Sequence, residues 1–524
     1  MGEQRVIAKA AGIVGGATFL SRIFGFIRDM IVAQFFGTGM ATDAFFVAFR
    51  IPNLLRRLVG EGALTASFIP VYTEYITQRP REEGNELVKA SFSVLAIGLL
   101  FIASVGILAS PWIVRIMAYG FSQEPEKFRL TVALTRLMFP YIFFIGLVAL
   151  AMGVLNSWKH FFAPALAPVL LNLAIIFCAL SFSSMLQEPV FSLAFGVLLG
   201  GMAQLSFQVP FLQRQGISWG FLFKPLHPGV KRVARLMAPS VLGLAVTQLN
   251  VLVNTLLASY LPEGSVSYLY YADRLLEFPM GIFAIAVATA VLPVMSEHSA
   301  KKDWEKLRGT LSFALRLVFF VTLPAMVGLI VLRQPILNLL FQRGAFTAHS
   351  TEMTAQALFY YSLGLAGFAG VRIIVPVFYS LQDTKTPVKV AFVALVVNAL
   401  LGVALMGPLR HGGLALATSL AAGINFALLV FLLRQRLGRI GLMQIFRSFL
   451  KSLGASLIMG AVVLAICLQG EWEKTGASVE KVGLLSAAML VAILVYAGAS
   501  HFFGSEELKL AVEGIKKKFK LANR

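Results

Sequence analysis

The chain has 524 residues, 58% of them hydrophobic and only 13% charged, with a mean hydropathy of +0.80. So apolar a composition excludes a soluble globule with a polar skin and points to a polytopic membrane protein. A formal net charge of +20 would suit a nucleic-acid binder, but the basic residues gather in short loops between apolar runs and at the C-terminus, where membrane topology accounts for them and no nucleic-acid partner is expected.

Apolar runs of roughly 20 residues or more mark membrane helices. They predict about fourteen, at 8–36, 41–75, 87–118, 130–155, 163–183, 190–213, 229–260, 265–295, 307–333, 352–381, 386–407, 412–434, 447–469 and 482–503. None alternates every second residue as a barrel strand would, so the predicted fold is an all-α polytopic membrane protein. Lys and Arg concentrate on the loops of the N-terminal side, which predicts cytoplasmic termini.

The first span, with Arg5 and Lys9 ahead of it, imitates a secretory signal but runs on past Arg22 to Phe36, too long for a cleaved segment. It carries Arg22 and Asp29 seven residues apart, with Arg28 adjacent and Gly25 allowing close approach. In the second span Asp43, Arg50, Asn53, Arg57 and Glu61 recur at seven, three, four and four residues, one stripe of a helix. Eighteen residues at about 1.5 Å each make that stripe roughly 27 Å long, close to the hydrocarbon thickness. Pro52 kinks the span, so either Arg56 or Arg57 is the inward residue beyond it. Asp29 and Asp43 are expected to hold arginines in position.

Further along, Arg115, Arg136 and Arg316 lie near predicted helix ends and are expected to snorkel. The basic stretch from Arg214 to Arg235 reads as a cytoplasmic connection. Asn250 and Asn254 stand one turn apart in the seventh span, and the eighth carries Asp273, Arg274 and Glu277 ahead of Pro279. Arg372 lies deep in the tenth span, and Asp383 with Lys385 and Lys389 reads as a polar turn rather than a gate. Gly12/Gly16 and Gly196/Gly200 have the spacing of close helix packing. Leu508, Ala511, Val512, Ile515 and Phe519 fall at helical spacing among lysines, which fits either an interfacial helix on anionic lipid or a basic tail. Cys178 and Cys467 fall inside apolar spans, and the six His are scattered, so no metal site is expected.

An intramembrane Arg costs roughly 2.5 to 3.5 kcal/mol on the insertion scale, so Arg22, Arg28, Arg50, Arg56, Arg57 and Arg274 together would cost on the order of 15 to 20 kcal/mol facing lipid. They are expected to line a wet, protein-walled cavity instead. Fixed guanidinium groups select anions, and their forked donors match diphosphate oxygens.

The chain also repeats itself at an offset of about 224 residues. Pro111 to Gly120 echoes Pro335 to Gly344, Pro70 and Glu74 match Pro293 and Glu297, Ala33 and Gly39 match Ala258 and Gly264, and the segment from Gly153 to Asn172 shadows that from Val377 to Asn398. Six helices per repeat, inserted with the same orientation, is the parallel-repeat plan of an alternating-access transporter. The expected division is an N-lobe at 1–220, a C-lobe at 221–440, two extra helices at 441–504 and a basic amphipathic tail at 505–524.

The strings Ser21-Arg22-Ile23-Phe24-Gly25-Phe26-Ile27-Arg28-Asp29, Ala41-Thr42-Asp43-Ala44-Phe45-Phe46, Pro52-Asn53-Leu54-Leu55-Arg56-Arg57 and Tyr270-Tyr271-Ala272-Asp273-Arg274 resemble the MurJ (MviN) family, and the likeness runs over essentially the whole chain. The resemblance implies the fold of the multidrug and polysaccharide exporter superfamily and the movement of lipid II, an undecaprenyl-diphosphate-linked peptidoglycan precursor, across the bacterial inner membrane without nucleotide hydrolysis. By motif, Arg22, Arg28, Asp29, Arg56 and Arg274 match the family's required cavity charges, with Asp43, Arg50 and Glu277 as companions; Asn53, Arg57, Glu61, Asp273 and Arg372 complete the candidate substrate-binding set. It further implies that the last two helices form a groove for the polyprenyl tail, with membrane lipids and cell-wall synthesis proteins as candidate partners. Asp383 matches an acidic sodium-binding position of some members, but Ala399 stands near another, so coupling to membrane potential, Na+ or H+ is left open. The alternative is an exporter of another polyprenyl-linked polysaccharide or of drugs on the same fold.

Overall fold

The computed structural model describes residues 2–57, 64–217, 220–474, 476, 478–510 and 513. Away from water a spanning backbone must satisfy its own hydrogen bonds, and the described residues form helices joined by turns, with no strand among them. The first half of the chain comprises α1 (Gly2–Phe36), α2 (Met40–Leu55), α3 (Thr65–Gln78), α4 (Arg81–Met117), a 3-10 turn at Tyr119–Gln123, α5 (Pro125–Met138), α6 (Tyr141–Ser157), α7 (Phe162–Phe182) and α8 (Phe191–Arg214). There follow α9 (Pro228–Ser259), α10 (Ser265–Pro279), a π-helical turn at Met280–Ala284, α11 (Ile285–Ala300), α12 (Trp304–Leu340), α13 (Ala348–Ser362), α14 (Leu365–Ser380), α15 (Lys385–Leu437), α16 (Leu442–Cys467) and α17 (Val479–Phe502). Pro125 and Pro228 open α5 and α9, where a missing N–H costs nothing.

Eight described helices are long and apolar enough to cross a membrane, or nine if the pair α13 and α14, bent by 44°, is one span. Fourteen spans are compatible with this when α1, α9 and the broken pairs α2/α3 and α10/α11 are added and α15 is counted as two legs. The breaks have physical causes. Arg410 sits at φ +50° inside α15, after Pro408 and before Gly412 and Gly413, and turns the chain back there. A π-helical turn at Arg56 and Arg57 follows Pro52, and the one at Met280–Ala284 follows Pro279.

By compactness the chain divides into Met1–Ser267 and Tyr268–Arg524. In the first unit Phe68, Tyr72 and Tyr75 of α3 pack with Leu150 and Val154 of α6 and Leu212 of α8. Gly196 and Gly200 bring α8 onto α7 as expected, since a Cβ on Gly196 would stand 2.6 Å from the Ile175 Cα. Gly12 and Gly16 differ: among the described residues nothing lies within 4 Å of where their Cβ atoms would be.

In the second unit Leu311, Leu315 and Val318 of α12 pack with Ile373 and Val377 of α14 and Leu429 and Leu433 of α15. The α16–α17 hairpin lies on α12 through Val327, Ala455, Met459, Val463 and Tyr496. It is pinned at both ends. At one, the buried Lys481 Nζ donates to Asn338 Oδ1 (3.0 Å) and the Lys474 carbonyl (2.5 Å), while Asn338 Nδ2 donates to the carbonyls of Trp472 and Lys474. At the other, Arg316 pairs with Glu506 (2.6 Å) and Glu507 (3.2 Å), and Ser448 donates to Glu507. Arg316 was expected to snorkel. It lies well inside α12 and is claimed by these carboxylates instead. Ala511, Val512, Ile515 and Phe519 of the basic tail lie outside the described residues.

Candidate functional site

On α1, Arg28 and Asp29 are both buried, at 7% and 1% exposure. The guanidinium folds back so that Nε and Nη2 donate to Asp29 Oδ1 at 3.0 and 2.7 Å, while Nη1 donates to Asn172 Oδ1 of α7 at 3.1 Å. Asn172 is itself oriented by donating from Nδ2 to the Ser21 carbonyl. Three hydrogen bonds thus fix the plane of the fork. Removing one member of such a buried pair typically costs about 3 to 5 kcal/mol. Asp29 therefore holds an arginine as expected, and Asn172 is a member of the group that the sequence motifs did not supply.

Asp43 differs from expectation. Among the described residues no arginine reaches it; the carboxylate is 1% exposed and accepts hydrogen bonds from Lys127 Nζ (3.1 Å) and Gly264 N (2.8 Å) on Oδ2 and from Ser267 N (2.9 Å) and Ser267 Oγ (2.7 Å) on Oδ1. The reason is position. Asp43 lies in the first turn of α2 and faces the first turn of α10, where unpaired amides and the positive end of the helix dipole favour an anion. Gly264, at φ +87°, takes the left-handed conformation that aims its N–H there.

Ser267 lies 224 residues after Asp43, within one position of its counterpart at the repeat offset. Serine in the second copy avoids two facing carboxylates. The same seam holds Gly120 N donating to Ser259 Oγ (3.0 Å), Met40 N donating to Glu263 Oε1 (2.5 Å) and Arg50 Nη1 donating to Thr255 Oγ1 (2.5 Å). At Gly120 a Cβ would fall 2.2 Å from the Ser259 carbonyl oxygen, so backbone meets backbone there.

The rest of the α2 stripe departs at Pro52. Arg56 is half-buried and donates from Nε to Asn53 Oδ1 (2.9 Å), whereas Arg57 and Arg22 are exposed. Glu61 lies outside the described residues. In the second unit Arg274 Nη1 donates to Glu277 Oε2 (2.9 Å) and the guanidinium stands 5.9 Å from the Tyr270 ring centroid. Asp273, Glu277 and, on α14, Arg372 are exposed. The π-helical turns after Pro52 and Pro279 fall at the same place in the two repeats. Interrupted membrane helices at corresponding positions are the best structural pointer to a transporter's binding region.

Asp383 forms the turn expected of it. Its Oδ1 accepts from Lys385 N and Thr386 N at 3.0 Å each, and Arg436 Nη1 stands 2.6 Å from Oδ2, an ion pair off the hydrogen-bond axis. Hydrogen bonds from Thr386, side chain first, with Arg436 beside them, hold this carboxyl below its ordinary value of 3.8. Among the described residues no three His, Cys, Asp or Glu gather as a metal site.

Charged residues buried in a two-repeat helical membrane fold, with helix breaks at matching points, define a membrane transporter. A solved multidrug resistance MATE family transporter of the MOP superfamily, in an inward-facing conformation, shares this fold at TM-score 0.64 and 17% identity, covering 82% of this chain and 98% of that one. A solved lipid II flippase MurJ in an inward closed conformation matches at TM-score 0.77 and 30% identity, over 94% of this chain and 98% of that one. The family model for lipid II flippase MurJ matches residues 32–480. A lipid II flippase MurJ of Burkholderia cenocepacia is 38% identical over 94% of this chain and 96% of its own length, and a probable lipid II flippase MurJ of Vibrio cholerae is 39% identical over 81% and 82%. The chain belongs to the MurJ family.

Proposed function

We propose that this chain carries lipid II across the bacterial inner membrane by alternating access, with both termini in the cytoplasm. The diphosphate of the substrate is taken up by intramembrane arginines, with Arg28 as principal ligand and Arg22, Arg56, Arg57 and Arg274 contributing. Asp29 and Asn172 prepare Arg28: a guanidinium already desolvated and fixed in plane loses little freedom on meeting an anion, and its fork matches two phosphate oxygens. That buried, triply held guanidinium is the observation that carries the proposal. The residues 441–504 would receive the polyprenyl tail, and the Asp43 seam is read as the closed gate on the periplasmic side.

The test is the arrival of lipid II at the outer leaflet in cells whose only copy carries Arg28→Ala or, separately, Arg274→Ala. Arrest of arrival with normal protein levels is expected. Normal arrival in the Arg28→Ala cells would remove the role assigned to that group. Arg28→Lys keeps the charge but not the fork, and an intermediate rate is expected.

A further inference from the structure

Lys127 belongs to no motif of the chain, yet it is among the most buried side chains in it. It is the third residue of α5, 1% exposed, with Nζ 3.1 Å from Asp43 Oδ2 and 4.3 Å from the centroid of the Phe121 ring. A lysine in that setting is held by its carboxylate and by the face of an aromatic ring. Its importance lies in which side of the seam it stands on.

Of the four hydrogen bonds to Asp43, three come from the second repeat: the amides of Gly264 and Ser267 and the Ser267 hydroxyl. Lys127 alone comes from the same repeat as Asp43. When the seam separates, as the proposed function requires, the carboxylate leaves three donors and the amino end of α10 at once, and Lys127 stays with it. We infer that Lys127 is a positioning residue for transport: it keeps the Asp43 charge partnered when the seam is open, and so allows the seam to open at all.

Without Lys127 the two states of the seam are no longer comparable. Closed, Asp43 still has three donors and a helix dipole. Open, it is a charge with none of its four present partners, so the balance shifts to the closed state and transport stalls. Phe121 fits the same role, since the ring lies in the 3-10 turn just before α5, within the first repeat, and accompanies Lys127. The counterpart of Lys127 at the repeat offset, Thr351, is also a buried polar anchor, donating to Gln342 Oε1 at 2.9 Å. Ser267 and Tyr268, the residues at the matching position of the second copy, are uncharged.

The inference rests on the alternating-access reading, and the experiment separates the two. Spin labels on the exposed positions Gln123 and Pro262, in a full-length Cys178→Ala/Cys467→Ala protein in lipid vesicles, report the width of the seam, while lipid II arrival at the outer face reports transport. Wild type should show a short and a long distance. Lys127→Met should show only the short one and lose transport at least about tenfold, Lys127→Arg should keep both distances, and Lys127→Met/Asp43→Asn, which removes the stranded charge, should regain the long distance. A long population in Lys127→Met as large as in wild type would overturn the inference, as would failure of the double variant to regain it. Should wild-type protein move no lipid II, the proposed function falls, while the distances still decide the role of Lys127.

Discussion

The helices α2 and α10 are counterparts in the repeat, and they hold their charge in opposite ways. In α2 the acidic residue of the first turn is buried under four hydrogen bonds, three of them from the α9–α10 turn and α10 itself. Further along α10, Asp273 and Glu277 are exposed and Arg274 is half-buried, with Arg274 bonded to Glu277 one turn away and standing against the face of Tyr270. A dry, fully satisfied charge cannot be withdrawn without stranding its partners, so it suits a contact with two discrete arrangements. Exposed charges exchange partners at little cost.

The sharpest way to break this contrast between dry and exposed charge is to compare the buried Arg28 of α1 with the half-buried Arg274 of α10. Arg28→Ala strands Asp29 and should lower stability by about 3 to 5 kcal/mol as well as abolish lipid II arrival at the outer leaflet; melting in detergent measures the first. Arg274→Ala should cut transport at least about tenfold yet leave the melting temperature within about 2 °C, because a half-exposed pair contributes under about 1 kcal/mol. Equal destabilisation by the two substitutions would end the distinction between dry and exposed charge. Next in size is Gly120→Ala, whose Cβ meets the Ser259 carbonyl oxygen. It should push the Gln123–Pro262 distance distribution toward the open form and change transport by several-fold, without touching any charge.

Asp383→Asn sharpens the comparison from outside the membrane and has the smallest effect. The carboxyl is held low in the folded protein, chiefly by Thr386 and then by Arg436, so its contribution is complete above the ordinary value of 3.8 and fades as pH falls through the lower folded value. At pH 7 the substitution should lower the melting temperature by about 1 to 2 °C, and at pH 3 the difference should shrink. A difference that grew on acidification would contradict the assignment.

Local features were legible in the sequence and distant partners were not. Arg28 and Asp29 are neighbours, Arg274 and Glu277 one turn apart, and Asp383 caps its own turn, so spacing alone brought each pair together. Lys127 follows Glu124, Pro125 and Glu126, a polar run that reads as a loop. Nothing local reveals that Asp43, 84 positions earlier, closes over it. Asn172, Thr255, Gly264 and Ser267 escaped for the same reason, although the repeat offset sets Ser267 within one position of the counterpart of Asp43. The expectation that Asp43 holds an arginine failed because charge was weighed along a helix, whereas its partners are backbone amides of another helix's first turn.

The hairpin of α16 and α17 is bolted to α12 through Lys481 and Asn338 at one end and through Arg316, Glu506 and Glu507 at the other. An arm clamped at two points has no swing of its own. If the isoprenoid tail rests along it, as proposed, the greasy end would travel in lockstep with α12 and not on a swing of the hairpin's own.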